Sequence, residues 1–356
     1  MQLMSWVHKD FQLNGRSFSS EEELIQYAER ISQPLSTFCK DWFSKDDFVL
    51  VKTSGSTGKP KDIRLKKEYM RNSAMATGKF FNTQEKTKAL CCLPIEYIAG
   101  KMMVIRAMVL GWHMDIIEPS SSPLENIEKT YDFSAMVPLQ LRNSLDKIDI
   151  IKKLIVGGGV VSMELQDMIK NLSTKIYATY GMTETITHIA VKPLNKSRHS
   201  ELVSESNYQT LPNVSISTDD RSCLVIKAPK VSDETIITND VVEFISDTEF
   251  SWKGRYDNVI NSGGIKLHPE EIERKLSPYI AQRFFVAGIP DEQLGEKLVL
   301  VIEGHDDAVI LNLFQNLNEV LSKYETPKDI FFTDTFIETE TQKIQRSKTL
   351  QKVLAN

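Results

Sequence analysis

The sequence predicts an α/β fold, with a large N-terminal domain of mainly parallel sheets flanked by helices and a small C-terminal α+β domain. Three observations predict this fold. The chain has 356 residues, more than a single domain usually holds. Up to residue 179, apolar strand-like runs alternate with helix-like stretches, which is typical of βαβ units and a parallel sheet. From residue 257 onward the pattern changes, and about a hundred residues remain, an ordinary domain size. We therefore expect domains at residues 1–256 and 257–356.

Local patterns place the elements of the first domain. Ser20 precedes three glutamates and predicts a helix start, because a Ser side chain caps the first turn and acidic residues suit it. Strands are predicted at Phe48–Val51, Ala89–Leu93, Met114–Ile117, Ala135–Val137, Leu154–Val156 and Lys175–Thr179. Helices are predicted between the later strands, at Glu68–Lys79, Met102–Leu110, Leu139–Leu145 and Met163–Asn171. Ligands of open α/β sheets bind at the carboxyl ends of the strands, which here carry Gly157–Gly159 and Tyr180–Gly181.

The rest of the chain predicts loops and short strands, followed by a compact second unit. Residues 195–220 are polar, and further strands are predicted at Leu224–Ala228 and Val241–Ile245. In the second unit, a hairpin over residues 258–265 turns at Ser262-Gly263-Gly264, and Pro269 opens a helix that ends at Leu276. Its other predicted elements are strands at Arg283–Ala287, Leu298–Ile302 and Ile330–Phe332 and a helix at Ala308–Lys323.

Composition excludes several classes of protein. A net charge of -5 gives no general attraction to nucleic acid or to anionic membranes. No apolar run is long enough to span a bilayer, and the start of the chain lacks the pattern of a signal peptide. The four cysteines show no metal-ligand spacing, and Cys91 and Cys92 lie in an apolar run that suits a core. We therefore expect a soluble, reduced, cytoplasmic protein without nucleic-acid or membrane partners.

A segment rich in Gly, Ser and Thr at residues 53–61 is the strongest functional signal. It reads TSGSTGKPK and follows the strand predicted at Phe48–Val51. Small residues let the backbone approach a ligand, while backbone N–H groups and hydroxyls bind phosphate, and Lys59 adds a positive charge. The segment is not a P-loop, because Thr53 replaces the first Gly of that pattern and Pro60 follows the lysine. It therefore predicts a nucleotide site of another kind, with a polar surface turn as the alternative.

Further segments carry groups that could bind a nucleotide, and each has a structural alternative. Thr183 and Glu184 follow a predicted strand, where they could contact phosphate and Mg²⁺ or only form a capped turn. Asp240 could bind a ribose or, in a turn, its own backbone. Arg255 could bind ribose or phosphate, although its segment also suits a linker. Lys343 lies in a charged stretch that alone is typical of a solvated tail.

Taken in order, these segments resemble the acyl-CoA synthetase branch of the adenylate-forming enzymes. They read TSGSTGKPK, YGMTET, TND, GRYDNVINSGGIKL and TQKIQR, and the resemblance covers nearly the whole chain from residue 48. It implies ATP-dependent activation of a carboxylic acid, followed by transfer of the acyl group to coenzyme A, with Mg²⁺ as the metal. It also implies that the large domain binds ATP and the acid, while the mobile C-terminal domain carries the catalytic lysine.

The resemblance implies a set of nucleotide-binding residues. Those at the β- and γ-phosphates would be Thr53, Ser54, Thr57 and Lys59, in a loop that also contains Gly55, Ser56 and Gly58. Those beside the adenine would be Gly157, Gly158 and Gly159, with Tyr180 and Gly181 close by. Those that grip the ribose would be Asp240 and Arg255.

The resemblance also implies the catalytic and mobile parts. Thr183 would contact the α-phosphate, Glu184 would hold Mg²⁺, and Lys343 would be the catalytic lysine of adenylation. Asp257 would be the hinge between the domains. Gly263 and Gly264 would lie beside the pantetheine tunnel when the thioester forms.

Within this branch, two segments are most similar to the o-succinylbenzoate–CoA ligases of bacterial menaquinone synthesis. They read LPIEYIAGKMMVIRAMVLG and YGMTETITHIA. This narrower resemblance implies an aromatic keto-diacid as substrate, and the candidates for the acyl pocket are Lys101, Arg106 and His188. Lys101 and Arg106 could instead be surface or snorkelling positions of a helix, and His188 a core residue.

The chain departs from the family pattern in three places. Gln342 stands where the family commonly has Gly before the lysine, which bears on the geometry of that loop but not on its charge. Glu96-Tyr97 replaces a common aromatic-His pair, so no His serves the acyl pocket there. Only about fifty residues precede the Gly-rich segment, too few for a whole domain. Elements of the larger relatives must therefore be missing.

Other functions stay open at this stage. The chain could be another acyl- or aryl-CoA ligase, or an adenylation enzyme that loads a carrier protein instead of coenzyme A. A non-enzymatic alternative is a nucleotide-binding sensor that has lost catalysis. Gln342, in place of the usual Gly, is the observation that raises this alternative. The oligomeric state, monomer or homodimer, does not follow from the sequence.

Overall fold

A large mixed sheet forms the centre of the N-terminal part of the molecule. The computed structural model describes residues 6–52, 62–195, 207–305, 317, 320–338 and 344–355. The strands up to residue 255 are β1 (Gln12–Leu13), β2 (Phe48–Lys52), β3 (Asp62–Lys66), β4 (Lys88–Cys91), β5 (His113–Ile116), β6 (Tyr131–Met136), β7 (Ile151–Val156), β8 (Lys175–Gly181), β9 (His188–Pro193), β10 (Tyr208–Thr210), β11 (Ser215–Thr218), β12 (Cys223–Lys227), β13 (Ile236–Ser246) and β14 (Glu249–Arg255). β2 and β3 form a separate antiparallel hairpin. The other twelve form one sheet, in the order β1-β5-β4-β6-β7-β8-β9-β10-β14-β13-β12-β11.

One half of this sheet is parallel and the other half is antiparallel. From β1 to β8 each neighbour is parallel, as the βαβ pattern predicted. From the pairing of β8 with β9 onward each neighbour is antiparallel. The α/β class is confirmed, and the five strands predicted between residues 89 and 179 all form. β7 and β8 are adjacent, so the residues that follow them meet at one edge of the sheet.

Six helices lie in the described residues of this part, and a serine side chain caps the start of three of them. They are α1 (Glu21–Ile31), α2 (Gln33–Phe43), α3 (Lys67–Phe81), α4 (Ile98–Leu110), α5 (Pro138–Asn143) and α6 (Met163–Ile169). Ser20 caps α1 as predicted, since its hydroxyl accepts from the backbone N–H of Glu23 at 3.2 Å. α4 ends at Gly111, whose φ of +70° is the left-handed conformation that favours glycine. The four helices predicted between residues 68 and 171 are confirmed, with shifts of a few residues at their ends.

The C-terminal part is the predicted α+β unit. It consists of β15 (Ile260–Ser262), β16 (Ile265–Leu267), α7 (Pro269–Leu276), β17 (Phe284–Asp291), β18 (Gly295–Glu303), β19 (Asp329–Thr333) and α8 (Arg346–Leu354). β15 and β16 form the predicted hairpin, and β18 pairs antiparallel with β17 and parallel with β19. The helix predicted at residues 308–323 lies largely outside the described residues.

The hydrophobic core divides near the predicted boundary between domains. Two clusters of buried apolar side chains are built from residues before 253, and two others from residues after 259. The assignment of domains at residues 1–256 and 257–356 stays a prediction, with which this division agrees. All four cysteines are free and buried, as expected for core residues, and burial raises the pKa of the Cys91 thiol to about 11. None of the helices within the described residues is long and apolar enough to cross a bilayer.

Candidate active site

The Gly-rich segment connects the two strands of the separate hairpin. Backbone pairing of β2 with β3 runs as far as Lys52 and Asp62, the residues that flank it. The strand predicted before the segment is therefore confirmed. The segment leads into a second antiparallel strand and not into a helix, in contrast to a P-loop. The phosphate-binding residues predicted from Thr53 to Lys59 lie outside the described residues, and their role stays a prediction.

Three glycines follow β7 at the carboxyl edge of the parallel strands. The backbone N–H of Gly157 donates to the carbonyl of Met136, at the end of β6, at 3.1 Å. A Cβ at Gly157 would lie 2.5 Å from the hydroxyl of Thr179 on β8, so a larger residue would displace that side chain. Gly158 has a φ of +79°. The two strand ends therefore pack closely at these glycines. The adenine contact of Gly157, Gly158 and Gly159 stays a prediction.

Tyr180, Asp240 and Arg255 come together although they are far apart in sequence. The hydroxyl of Tyr180 donates to Asp240 Oδ2 at 2.7 Å, and Arg255 Nη1 lies 3.8 Å from Asp240 Oδ1. Asp240 and Arg255 are direct partners in the pairing of β13 with β14. The alternative that Asp240 occupies a turn is wrong, because the residue lies within β13. The predicted ribose-binding pair thus has a shared location, which the side chain of Tyr180 reaches from β8 across β9 and β10.

Trp252 belongs to this group and was not predicted. Its indole N–H donates to Asp240 Oδ1 at 3.1 Å, so each oxygen of this buried carboxylate accepts from an aromatic side chain. These donors fix the orientation of the carboxylate. A signal for Trp252 exists in the sequence, because a hairpin turn at Asp247-Thr248 brings β14 alongside β13.

Thr183 and Glu184 lie in a short 3-10 helix, Thr183–Thr185, immediately after β8. The predicted turn after this strand is confirmed. Glu184 is exposed and forms no ion pair among the described residues, so its carboxylate is available to a cation. No three His, Cys, Asp or Glu side chains converge on a metal site in the described part of the chain. The exposed carboxylate of Glu184 by itself fits Mg²⁺, which takes one or two carboxylates and completes its shell with phosphates and water.

The backbone after this helix is strained. Ile186 has a φ of +67°, a conformation that β-branched residues rarely adopt. Gly181 lies against β9 so closely that a Cβ would be 2.2 Å from the carbonyl oxygen of Thr187. Such strain persists only where surrounding contacts impose it, and it is common at functional sites. The strained turn connects Thr183 and Glu184 directly to His188.

A buried polar cluster lies where α3, α4 and β9 meet. Thr77, Arg106 and His188 are 0%, 2% and 5% exposed. Arg106 Nε donates to Thr77 Oγ1 at 3.3 Å, its Nη1 lies 3.8 Å from the sulfur of Met103, and its Nη2 lies 3.5 Å from His188 Nδ1. Nε2 of His188 lies 3.3 Å from Thr77 Oγ1. The structure therefore joins two of the three residues predicted for the acyl pocket, and adds Thr77.

The electrostatics of this cluster are unusual. Burial lowers the pKa of the Arg106 guanidinium to about 10, so it stays protonated at neutral pH. Burial, with the nearby guanidinium, holds the pKa of His188 well below its ordinary value, so the imidazole is neutral. No carboxylate pairs with Arg106 among the described residues. A buried cation without a counter-ion is costly, so the cluster is suited to an anionic ligand.

Lys101 has a different environment from Arg106. Its ammonium group donates to the carbonyls of Ile95 and Glu96, at 2.9 and 2.6 Å. Burial lowers the pKa of this ammonium group. Lys101 is thus neither at the surface nor snorkelling, and its hydrogen bonds hold the loop that enters α4. Its place in the acyl pocket stays a prediction.

The residues predicted to connect and move the domains are partly described. Asp257 lies in a 3-10 helix, Tyr256–Asn258, and accepts from Asn239 Nδ2 at 3.2 Å and from Arg255 Nη2 at 3.3 Å. Gly263 and Gly264 form the predicted turn between β15 and β16, with φ of +59° and +82°. Lys343 and Gln342 lie outside the described residues.

The chain belongs to the family described as AMP-binding enzyme. Residues 7–217, more than half of the chain, match the model of this family. A solved structure from Dyadobacter fermentans, an acyl-CoA synthetase (AMP-forming)/AMP-acid ligase II-like protein, is 36% identical. The two chains align over 94% of this one and 99% of the other, with a TM-score of 0.62. The family resemblance found in the sequence is thus confirmed.

More distant relatives carry a specific name. The 2-succinylbenzoate–CoA ligases of Listeria innocua serovar 6a and Staphylococcus aureus strain Newman are each 24% identical to this chain. The alignments cover 87% and 94% of this chain and 71% and 72% of the relatives. The O-succinylbenzoate coenzyme A synthetase of Bacillus subtilis, solved with ATP and magnesium, is 21% identical, with a TM-score of 0.71 over 85% of this chain and 69% of the other. At this identity the likeness shows a shared fold.

Proposed function

We propose that this chain is an AMP-forming acid–thiol ligase that joins o-succinylbenzoate to coenzyme A through an acyl-adenylate, in menaquinone synthesis. Membership of the AMP-binding enzyme family supports the reaction, and the names of several relatives support the acid. The observation that carries the choice of acid is the buried guanidinium of Arg106, which lacks a carboxylate partner among the described residues.

The second carboxylate of the acid would supply the missing counter-ion. o-Succinylbenzoate has one carboxylate on its succinyl chain, which is activated, and one on its aromatic ring. Arginine binds carboxylates through two parallel N–H bonds, and such charge-assisted bonds are strong where water is excluded. A monocarboxylic acid would leave Arg106 unpaired. The site is therefore expected to select aromatic diacids.

The first half-reaction brings two anions together. The succinyl carboxylate, already ionised at neutral pH, attacks the α-phosphorus of ATP, and pyrophosphate leaves. Lys59 and the hydroxyls of its segment would hold the leaving phosphates, while Lys343 would lie between the attacking carboxylate and the α-phosphate. Mg²⁺, held by Glu184 and the phosphates, supplies further neutralisation of charge. Holding the reactants in place can lower the barrier by about 7–11 kcal/mol.

In the second half-reaction the thiol of coenzyme A attacks the acyl carbonyl, and AMP leaves. Lys343 must withdraw to admit the thiol, so the C-terminal domain would turn about Asp257. The turn that carries Gly263 and Gly264 would then line the path of the pantetheine. While the acyl-adenylate waits, the same domain would exclude water from it.

An assay of AMP formation tests the proposal. With ATP and Mg²⁺, the protein should release AMP in the presence of o-succinylbenzoate, and should form the thioester once coenzyme A is added. β-Benzoylpropionate, the same acid without its ring carboxylate, should have a KM at least about tenfold higher, the loss expected for one charged hydrogen bond. Absence of AMP formation with o-succinylbenzoate would overturn the proposal. Activity with another aryl acid, or only with a carrier protein, would support an alternative ligase, and nucleotide binding without acyl-AMP would support a sensor.

Two variants separate the roles of the residues. Arg106→Met should raise the KM for o-succinylbenzoate and leave that for β-benzoylpropionate unchanged, because only the diacid has a partner for the guanidinium. Lys343→Ala should abolish adenylation but spare thioester formation from supplied acyl-adenylate. Lys348→Ala is the matched control, since Lys348 is exposed on α8. Equal loss of both half-reactions in Lys343→Ala would contradict the role of this lysine.

The cytoplasmic location belongs to this proposal. Four free, buried cysteines suit a reducing compartment, where the small-molecule substrates are made and used. A monomer and a homodimer are both compatible with the site as described.

A further inference from the structure

We propose that Thr77 is a positioning residue, whose hydroxyl fixes the tautomer of His188 and aims the guanidinium of Arg106 at the ring carboxylate. This deepens the proposed function and rests on it for the identity of the ligand. Nothing in the sequence singles out Thr77, which lies within α3. The inference comes from the three groups that surround its hydroxyl.

The hydroxyl of Thr77 has one proton and two acceptor sites, and all three are in use. Its oxygen lies 3.0 Å from the carbonyl of Ser73, one helical turn earlier, to which it donates. Arg106 Nε–H donates to the same oxygen at 3.3 Å. One acceptor site remains, and His188 Nε2 lies 3.3 Å away. Since the hydroxyl proton is already committed, His188 must donate from Nε2.

The other side of the imidazole leads to the same tautomer. Nδ1 of His188 lies 3.5 Å from Nη2 of Arg106, and arginine has donors but no acceptors. Nδ1 must therefore carry a lone pair and not a proton. The hydroxyl of Thr187, also 3.5 Å from Nδ1, can donate to it. Both ring nitrogens thus require the neutral imidazole with its proton on Nε2.

This arrangement leaves part of Arg106 free. A guanidinium has five N–H donors. One is directed to Thr77, one to the sulfur of Met103 and one to His188. One N–H on each terminal nitrogen is left without a partner among the described residues, and such a pair matches the two oxygens of a carboxylate. Without the Thr77 hydroxyl, the guanidinium and the imidazole would lose their common anchor.

The experiment compares Thr77→Val, which keeps the shape and removes the hydroxyl, with Thr77→Ser, which keeps the hydroxyl. Thr174→Val is the matched control, because Thr174 is also buried but donates to the carbonyl of Ile148, outside the cluster. Each full-length variant is assayed for AMP formation with o-succinylbenzoate and with β-benzoylpropionate. Nitrogen NMR of histidine-labelled protein, with His188→Asn for assignment, reports the tautomer of His188, because a protonated and a bare ring nitrogen resonate far apart.

We expect Thr77→Val to raise the KM for o-succinylbenzoate about tenfold, with little change in kcat and none in the KM for β-benzoylpropionate. His188 should lose its single tautomer in this variant. Thr77→Ser should restore both properties, and Thr174→Val should change neither. Retention of the tautomer and of the preference for the diacid in Thr77→Val would overturn the inference. A different outcome is that Thr77→Val loses the tautomer while Arg106→Met leaves the preference for the diacid unchanged. That outcome would count against the proposed substrate alone.

Discussion

Arg106 and His188 show how a core can hold a cation ready for a ligand. Both side chains are buried, and only one of them carries a charge at neutral pH. If His188 were protonated, its Nδ1–H would face the guanidinium 3.5 Å away. The pair therefore combines a permanent charge with a neutral acceptor that orients it. His188 stays neutral because it is buried away from water beside the guanidinium, whereas Arg106 stays charged because burial lowers its pKa only to about 10.

The pH dependence of stability should reveal the neutral histidine. Because the folded protein holds the pKa of His188 far below its ordinary value, the unfolded chain binds a proton that the folded chain does not. The free energy of unfolding is therefore unaffected by this group above about pH 6.5 and falls as pH drops below it, by up to about 1.4 kcal/mol per pH unit. Denaturant unfolding of the wild type and His188→Asn between about pH 5 and 7 measures this contribution. Identical slopes in the two proteins would contradict a buried neutral His188.

At the scale of residues, the sequence could identify charged candidates for the acyl pocket but not the residues that surround them in space. Arg106 and His188 were predicted for the acyl pocket from a resemblance, and the structure brings them together. Lys101 was predicted with them, yet its ammonium group is bonded to main-chain carbonyls. Thr77 was missed because a buried Thr at helical spacing looks like any core residue. Its importance depends on three elements meeting, which no local pattern encodes.

The junction of β8 with β9 is the element that holds the candidate active site together. Gly181 ends β8, and the pairing shifts by one residue between Tyr180 and Gly181. This shift lets the strained turn with Thr183 and Glu184 protrude from the edge of the sheet, while His188 returns into the core. The site therefore depends on one close backbone contact.

Gly181→Ala should damage this junction. A Cβ there would lie 2.2 Å from the carbonyl oxygen of Thr187 and 2.5 Å from the Cα of His188, both in the backbone, so the strands must separate. We expect a loss of about 2–4 kcal/mol in the free energy of unfolding, together with reduced AMP formation. Gly15→Ala is the control, because Gly15 has a φ of +76° but nothing within 4 Å of its Cβ. The control should lose about 1 kcal/mol through its backbone conformation alone. Equal losses in both variants would contradict the close-contact argument.

At the scale of elements, the parallel strands were predictable and the antiparallel ones less so. Buried parallel strands are continuous apolar runs, which is why β4 to β8 could be found from the sequence. β13 is long, bulged and partly exposed, and Thr238-Asn239-Asp240 within it resembles a turn in composition. Its second half was predicted as a strand at Val241–Ile245, whereas its first residues are a strand because they pair with β12.

At the scale of the whole molecule, a few polar contacts join the C-terminal unit to the large sheet. Lys253 on β14 lies 3.2 Å from Glu271 on α7. Glu270 also lies against Gly254, where a Cβ would be 2.3 Å from its Oε2. Contacts of this polar kind suit an interface that must open and re-form. A turn about residue 257 would have to break the pair between Lys253 and Glu271.

Asp257→Pro tests whether residue 257 is the pivot. Proline fixes φ, and the residue before it is driven away from helical conformations such as that of Tyr256. We expect the variant to be held in one arrangement, so that one half-reaction survives while overall thioester formation is lost. Asp257→Ala is the control, since it removes the contacts to Asn239 and Arg255 but leaves the backbone free, and it should retain most turnover. Undiminished turnover in Asp257→Pro would remove this residue as the pivot.

The sequence predicted the two units but not how the large sheet is completed. Hydrophobic clusters divide near the predicted boundary because each unit encodes its own apolar pattern. β10 lies between β9 and β14 and pairs with β14 about forty residues further along the chain, a long-range closure that no local signal encodes. Trp252 and Asp240, by contrast, lie on one hairpin, but composition alone does not give the register that brings them together.

Arg106, which has no carboxylate partner among the described residues, also shows how selection acts on position 106. Replacement of a buried charge by an aliphatic side chain of similar volume is often stabilising, so an arginine here lowers the stability of the fold. The arginine is retained only while selection for activity outweighs the loss of stability, as in other trade-offs between stability and activity. In a lineage that no longer needs the reaction, we expect genetic drift to replace the arginine at position 106 with leucine or methionine. Homologues that keep this arginine with no acidic side chain beside it are therefore the ones in which selection still maintains the activity.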